Sequence, residues 1–226
     1  MDLILNIETA TPVCSVALSA DGELVALAEA VKPQSHSTEL TVLIEKVMSE
    51  AEKKLSDLSA VAVSSGPGSY TGLRIGTSVA KGIGYALDIP MIAVGTLEAL
   101  AHGCRHEEEE EIIICPMIDA RRMEVYTALY KNGQEILEPH ARIIDENSFA
   151  DHFDKGDKVV FCGDGAPKCK ALITHPLAIF RELACSAQFL IELSHKYYKY
   201  LVFCDLAYFS PSYIKAPNIT QSKKKL

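Results

Sequence analysis

The chain has 226 residues, with 22 Lys or Arg against 30 Asp or Glu and a net charge of −8 at pH 7. This length fits one large domain or two small ones, and a hydrophobic content of 48% predicts a folded core. The negative balance argues against a stand-alone nucleic-acid binder, because phosphate contacts need clustered Lys and Arg. Five of the excess negative charges lie in the run at 107–111, interpreted as a solvated linker or helix end.

The seven cysteines are interpreted as core residues of a cytoplasmic protein. Their count is odd and no CxxC pair occurs, so neither a disulfide framework nor a zinc site is expected. The apolar runs are too short to cross a bilayer, so no membrane association is expected.

Three short apolar runs at 3–7, 13–19 and 23–30 open the chain. Asp21-Gly22 separates the second run from the third and is typical of a hairpin turn. The opening is therefore predicted to be a β-meander. The other elements predicted for the first half are a helix capped by Ser37 and continuing over 40–55, a strand at 60–63, a helix at 71–87, a strand at 91–94, and a helix capped by Thr96 that reaches 104.

The same pattern restarts 111 residues later, with strands at 112–118 and 123–130 and a hairpin turn at Asn132-Gly133. In both copies an acid, Glu8 or Asp119, ends the first strand, and a hairpin glycine follows 14 residues later. The sequence thus predicts an α/β protein of two tandem units, residues 1–106 and 107–226. Each unit is expected to be a mixed sheet that opens with a β-meander and is flanked by helices. The later predicted elements are helices at 147–153, 168–173 and 186–200 and a strand at 158–162.

Two tandem units of this kind resemble the ribonuclease-H-like folds of the actin, hexokinase and Hsp70 superfamily. That resemblance implies that the acid after the first strand of each half helps hold a metal–nucleotide complex. Here the first loop has Thr9 beside Glu8, and the second has Arg121 and Arg122 beside Asp119. Because neither loop has the glycines that let backbone approach a phosphate, the predicted nucleotide site is degenerate. Its candidate residues are Glu8, Thr9, Asp119 and Arg121.

A glycine-rich turn, with Gly66, Gly68 and Gly72, precedes the helix at 71–87. No Gly-Lys-Ser/Thr closes it, and its spacing is not that of a dinucleotide fingerprint. Two interpretations stay open: a tight strand-to-helix turn, or an anion site at the helix N-terminus.

The helix at 71–87 has a stripe of small residues in every fourth position, Gly72, Gly76, Ala80 and Gly84. Each glycine costs roughly 1 kcal/mol relative to alanine, so a close contact is expected to offset that cost. The contact could be within the chain, against the helix at 40–55 or the sheet, or with a helix of a partner protein.

No Ser-His-Asp arrangement, GxSxG or HExxH motif is present. His102 and His106 lie four residues apart without the glutamate of a zincin, and a surface pair is expected. We predict no catalytic residue and no metal ligand.

The sequence resembles the bacterial TsaB family, also called YeaZ. The matching segments are NIETAT at 6–11, CSVAL at 14–18 and SGPGSYTGLRIG at 65–76. The likeness continues through VGTLEAL at 94–100, IDAR at 118–121 and PSYI at 211–214. The larger paralogue TsaD shares the glycine turn, and the family pattern implies that TsaD holds a metal through two histidines after this strand. Those positions are Thr96 and Leu100 here, so the chain resembles the non-catalytic paralogue.

The resemblance implies a role in forming N6-threonylcarbamoyladenosine at position 37 of tRNAs that read ANN codons. TsaC makes threonylcarbamoyl-AMP, TsaD transfers the carbamoyl group, and a TsaB pairs with TsaD and activates it, with the ATPase TsaE joining them. The resemblance also implies a homodimer when the chain is alone, and only indirect contact with tRNA. It implies no tightly bound cofactor, with ATP or ADP bound only at a subunit junction. The expected partner interface on the first-half helices comprises Leu40, Leu43, Ile44, Val47, Gly72, Ile75, Gly76, Val79, Ala80 and Ile83.

Two alternatives stay open. One is an active ATP-dependent small-molecule kinase or a metallopeptidase of the same superfamily. The other is a direct tRNA-binding module, favoured only by the basic tail at Lys223–Lys225.

Overall fold

Two five-stranded sheets form the frame of the molecule in the computed structural model, which describes residues 1–31, 36–105 and 112–215. The first sheet has the order β3-β2-β1-β4-β5 and the second has the order β8-β7-β6-β9-β10, so the two are built alike. The strands of the first sheet are β1 (Leu3–Glu8), β2 (Val13–Ala20), β3 (Glu23–Val31), β4 (Ala60–Ser64) and β5 (Met91–Val94). Those of the second are β6 (Ile113–Asp119), β7 (Glu124–Lys131), β8 (Gln134–Ile143), β9 (Val159–Cys162) and β10 (Ala178–Phe180).

The central strand of each sheet pairs in the same two ways. β1 is antiparallel to β2 and parallel to β4, and β6 is antiparallel to β7 and parallel to β9. The predicted α/β class, the two tandem units and their β-meanders are confirmed. The helices are α1 (His36–Glu50), α2 (Tyr70–Leu87), α3 (Thr96–Cys104), α4 (Ala150–Phe153), α5 (Ala166–Cys169) and α6 (Ile191–Lys199), with 3-10 turns at Leu55–Asp57 and Ala187–Leu190.

β1 is buried along its whole length because helices cover both faces of the first sheet. Leu3, Leu5 and Ile7 belong to the core that α1 completes, whereas Ile4 packs in a cluster with Leu190 on the opposite face. This alternation is the two-residue period of a strand covered on both sides.

A buried polar network joins α6 to the first sheet. Ser194 Oγ donates to Asn6 Oδ1 at 2.6 Å, and Asn6 Nδ2 donates to Ser19 Oγ at 3.1 Å. Upstream of α6, Ser186 Oγ donates to Glu29 Oε1 at 2.7 Å. The segment from Ser186 through α6 therefore returns to the first sheet, although strands β6 to β10 form the second.

Several predicted boundaries were wrong. α1 ends at Glu50 rather than at 55, because Glu52 takes a left-handed φ of 53° and Lys53 N donates back to Met48 O. The helix begins at His36, so Ser37 is not its cap, and Thr96 lies inside α3 behind Gly95. The helix expected at 168–173 is the shorter α5, and the sequence predicts no bounds for β8 and β10.

The acidic run at 107–111, His106 and the tail at Lys223–Lys225 lie outside the described residues. Within those residues, no helix combines the length and the apolarity needed to cross a bilayer.

We predict that Ser194→Ala lowers the free energy of unfolding by about 1–3 kcal/mol, because Asn6 Oδ1 would stay buried without its donor. Urea unfolding of the variant and of Ser49→Ala, an exposed serine on α1, measures the difference. A loss no larger than that of the control would contradict the anchoring role.

Candidate functional site

Glu8 ends β1 and is only 1% exposed. Its Oε1 accepts hydrogen bonds from Ala10 N at 2.6 Å and from Ser64 Oγ at 2.9 Å. Burial raises the pKa of this carboxyl to about 7, although the hydrogen bonds act in the opposite direction. The Glu8 carboxyl therefore points inward, toward the loop that follows β1 and toward Ser64 at the end of β4.

Thr9 explains the small residues of α2. A Cβ on Gly72 would lie 2.1 Å from Thr9 O, and one on Gly76 would lie 2.3 Å from Thr9 Oγ1. Further along the helix, a Cβ on Gly84 would lie 3.0 Å from Leu206. Of the two interpretations left open for the stripe, the structure supports the contact within the chain. The three glycines contact the loop after β1 and the C-terminal segment, whereas Ala80 packs in the core formed by α1 and the first sheet.

The glycine turn is packed against the same loop. Ser69 N donates to Ala10 O at 2.7 Å, and a Cβ on Gly68 would lie 2.5 Å from that oxygen. Ser69 caps α2 by accepting from Gly72 N at 3.2 Å. The turn is thus a tight strand-to-helix connection in which Gly66 N, Ser69 N and Gly72 N have partners within the chain.

Thr96 and Leu100, the two positions where the resemblance implies histidines in TsaD, are structural here. Thr96 Oγ1 accepts from Gly66 N at 3.1 Å, which ties the glycine turn to α3. Leu100 is buried in an apolar cluster with Cys104 and Cys162. Neither position offers a metal ligand.

The C-terminal segment 204–215 runs along α2 and over the glycine turn. Ser212 N donates to Ser65 O at 2.7 Å, and the Tyr213 ring lies 4.7 Å from that of Tyr70. Lys215 Nζ then reaches Glu124 of β7 at 2.5 Å. The segment thereby bridges the two halves.

Asp119 ends β6 and sits on the surface of the second half. Its Oδ1 accepts from Arg121 N at 2.8 Å and is bonded by Lys168 Nζ of α5. Arg121 and Arg122 both have left-handed φ angles, 70° and 52°. The bulky loop seen in the sequence is therefore a tight turn that closes on its own aspartate.

Asp164 is a third acid of this region, just after β9. Its Oδ1 accepts from Asp119 N at 3.1 Å. Desolvation, together with the charge of Asp119, raises the pKa of Asp164, and the charge of Asp164 contributes to raising the pKa of Glu8. The three acids thus influence one another where the two halves meet.

These residues do not fit a bound metal–nucleotide complex. Glu8 is buried and its Oε1 accepts from two donors, and Asp119 Oδ1 is paired with the Lys168 ammonium. In the described part of the chain, no group of three or more His, Cys, Asp or Glu side chains is placed to hold a metal ion.

The predicted interface residues divide into two sets. Ile75, Val79 and Ile83 are half-buried along α2 and remain accessible. The others are buried within the chain itself, namely Leu40, Leu43, Ile44, Val47, Gly72, Gly76 and Ala80.

Sequence reasoning missed Ser64, Asp164 and Lys168. The repeat gave one signal, because Gly163-Asp164-Gly165 follows β9 as Gly66-Pro67-Gly68 follows β4. No pattern in the sequence pairs Lys168 with an aspartate 49 residues earlier.

Comparisons with known proteins agree with this fold. The family model described as TsaD, tRNA N6-adenosine threonylcarbamoyltransferase, matches residues 28–210. The tRNA threonylcarbamoyladenosine biosynthesis protein TsaB of Bacillus subtilis is 37% identical over 135 residues, 60% of this chain and 58% of that protein. TsaB of Buchnera aphidicola subsp. Schizaphis graminum is 32% identical over 174 residues, 75% of this chain and 81% of that protein. The solved structure of YeaZ from Pseudomonas aeruginosa has a TM-score of 0.80 at 28% identity, covering 94% of this chain and 100% of the other. The match thus spans a little over half the length of the Bacillus relative.

We predict opposite effects for two alanine substitutions in α2. Gly76→Ala should lower the free energy of unfolding by about 1–3 kcal/mol, because its Cβ overlaps Thr9. Gly82→Ala should raise it by up to about 1 kcal/mol, since no atom lies within 4 Å of that Cβ. Thermal unfolding measures both, and equal effects would contradict the Thr9 contact.

We also predict that the free energy of unfolding falls as the pH rises, because Glu8 is buried. Its pKa is about 7 when folded against an ordinary value of 4.5, so the folded state holds a proton that the unfolded chain releases between these values. The contribution of Glu8 to the free energy of unfolding is fully present below pH 4.5. It is lost as the pH rises toward 7, by at most about 1.4 kcal/mol per pH unit. Urea unfolding from pH 4.5 to 8 should show that the free energy of unfolding of Glu8→Gln increases relative to that of the parent chain as the pH rises. Parallel profiles would contradict the prediction.

Proposed function

Because this chain belongs to the TsaB (YeaZ) family, within the wider family whose model is described as tRNA N6-adenosine threonylcarbamoyltransferase, we propose that it is a non-catalytic partner of TsaD. It would activate TsaD in forming N6-threonylcarbamoyladenosine at position 37 of tRNAs that read ANN codons. The name of its relatives supports the pathway, and the partners of Glu8 and Asp119 within the chain support the non-catalytic part.

One observation carries the non-catalytic part: the chain's own groups engage Glu8 and Asp119, the acids that end β1 and β6. Ala10 N and Ser64 Oγ hold Glu8, and Lys168 holds Asp119. Glu8 Oε1 and Asp119 Oδ1 would have to give up these partners before either oxygen could bind a cation or transfer a proton. No described observation favours the kinase or metallopeptidase alternative.

The proposed partner surface is the outer side of α2, beside α1. Ile75, Val79 and Ile83 follow one another at four-residue intervals and are half-buried, so they form an apolar row that a helix of TsaD could cover. The small residues of the stripe support this row from below, since they let α2 seat closely on Thr9. The buried residues of the expected interface would therefore not touch TsaD themselves. They would affect binding by setting the position of the apolar row on α2.

Further partners are part of the proposal. TsaE would join the pair, a homodimer would form through the same row when TsaD is absent, and tRNA would be contacted only through the complex. ATP or ADP would bind only at a subunit junction, because groups of the chain itself already pair with Glu8 and Asp119. We place the protein in the cytoplasm.

Reconstitution tests the proposed function. TsaC, TsaD, TsaE, ATP, threonine, bicarbonate and unmodified tRNA are incubated with and without this chain, and the modified nucleoside is measured. We expect product to depend on the chain and the chain to co-elute with TsaD. Equal product without the chain would contradict the proposal.

The partner surface makes a separate prediction. Val79→Arg should weaken binding to TsaD at least tenfold, about 1.4 kcal/mol, because a charge would enter the apolar row while its stem still covers the core. The matched control is Ile136→Arg on β8, which is 49% exposed in the second half. Isothermal titration with TsaD measures both after their melting temperatures are compared. Unchanged affinity for Val79→Arg would contradict the surface.

A further inference from the structure

The ammonium of Lys168 lies where three elements of the second half meet. Lys168 belongs to α5, and its Nζ contacts Asp119 Oδ1 at the end of β6. The same Nζ donates to the backbone oxygen of Glu124, at the start of β7, at 2.7 Å. The side chain is 23% exposed, so it is held in the fold instead of extending into solvent.

The oxygens around this ammonium are of the kind that bind hard divalent cations. Ca²⁺, Mg²⁺ and Mn²⁺ favour carboxylate and backbone carbonyl oxygens, and Asp119 and Glu124 supply one of each. Asp164 adds a second carboxylate beside Asp119, linked through Asp119 N at 3.1 Å.

We propose that Lys168 is a built-in cation that replaces a divalent metal on Asp119 and closes this site to metal ions. The ammonium supplies a single positive charge on a covalent tether, so it balances Asp119 without dissociating. A free metal ion would have to displace the tethered ammonium from Asp119. The displaced ammonium would stay nearby, and its positive charge would repel the ion. The charge of Asp119 is thereby balanced without a bound ion.

An ordinary surface ion pair is the competing explanation, since such pairs contribute little to stability. The two explanations differ in what happens when the amine is removed. If Lys168 only pairs with Asp119, the variant loses an ion pair and gains nothing. If it replaces a metal, the vacated oxygens should take one up.

Manganese binding distinguishes these outcomes. Electron paramagnetic resonance measures free Mn²⁺ during titration of the parent chain, Lys168→Met, Lys168→Gln and the control Lys170→Met, an exposed lysine of similar position. We expect Lys168→Met and Lys168→Gln to bind one Mn²⁺ at least tenfold more tightly than the parent chain and Lys170→Met. Adding Asp119→Asn to Lys168→Met should abolish the gain.

Two results would overturn the proposal: no gain in Mn²⁺ affinity in either folded Lys168 variant, or equally tight binding by the parent chain that depends on Asp119. Melting temperatures with and without Mn²⁺ establish folding, and only the Lys168 variants should be stabilised by the ion. The proposal goes beyond the proposed function, and reconstitution with TsaD can succeed or fail independently of it.

Discussion

The close approach of α2 to the loop after β1 is the contact on which the rest of the site depends. Gly72 and Gly76 leave no space between the helix and Thr9, so the helix seats on the end of the central strand. That seating brings Ser69 N onto Ala10 O and places the glycine turn beside the loop that bends back to Glu8. A larger residue at either glycine would push the helix away from the strand, and the turn, the cap and the buried acid would lose their common support.

The two halves have the same strand order but differ at the end of the first strand. In the first half the acid is buried, and neutral donors hold it, so its pKa is raised. In the second half the acid is at the surface, and a lysine holds it. The duplication supplied two equivalent positions, and each is now satisfied within the chain, by Ser64 in one case and Lys168 in the other. The structure thus keeps the same strand order in both halves, while the two acids pair with groups of the chain itself.

Much of the fold could be predicted because its signals are local. Asp21-Gly22 and Asn132-Gly133 identify the two hairpins, and their constant spacing from Glu8 and Asp119 reveals the duplication. Contacts between distant parts of the chain could not be predicted in this way. The end of α1 depends on a left-handed glutamate, the stripe on α2 contacts a threonine more than sixty residues earlier, and the segment after 186 crosses back to the first sheet. None of these has a pattern in the sequence, because the residues involved become neighbours only after the sheets form.

The most direct measurement of the central claim is the rate of threonylcarbamoyladenosine formation in the reconstituted system with Asp119→Asn in place of the parent chain. Asp119 has no catalytic role in this account, so a folded variant should support the same rate as the parent chain at saturating concentration. A rate reduced a hundredfold or more, with binding to TsaD unchanged, would mean that Asp119 takes part in the chemistry and would contradict the account.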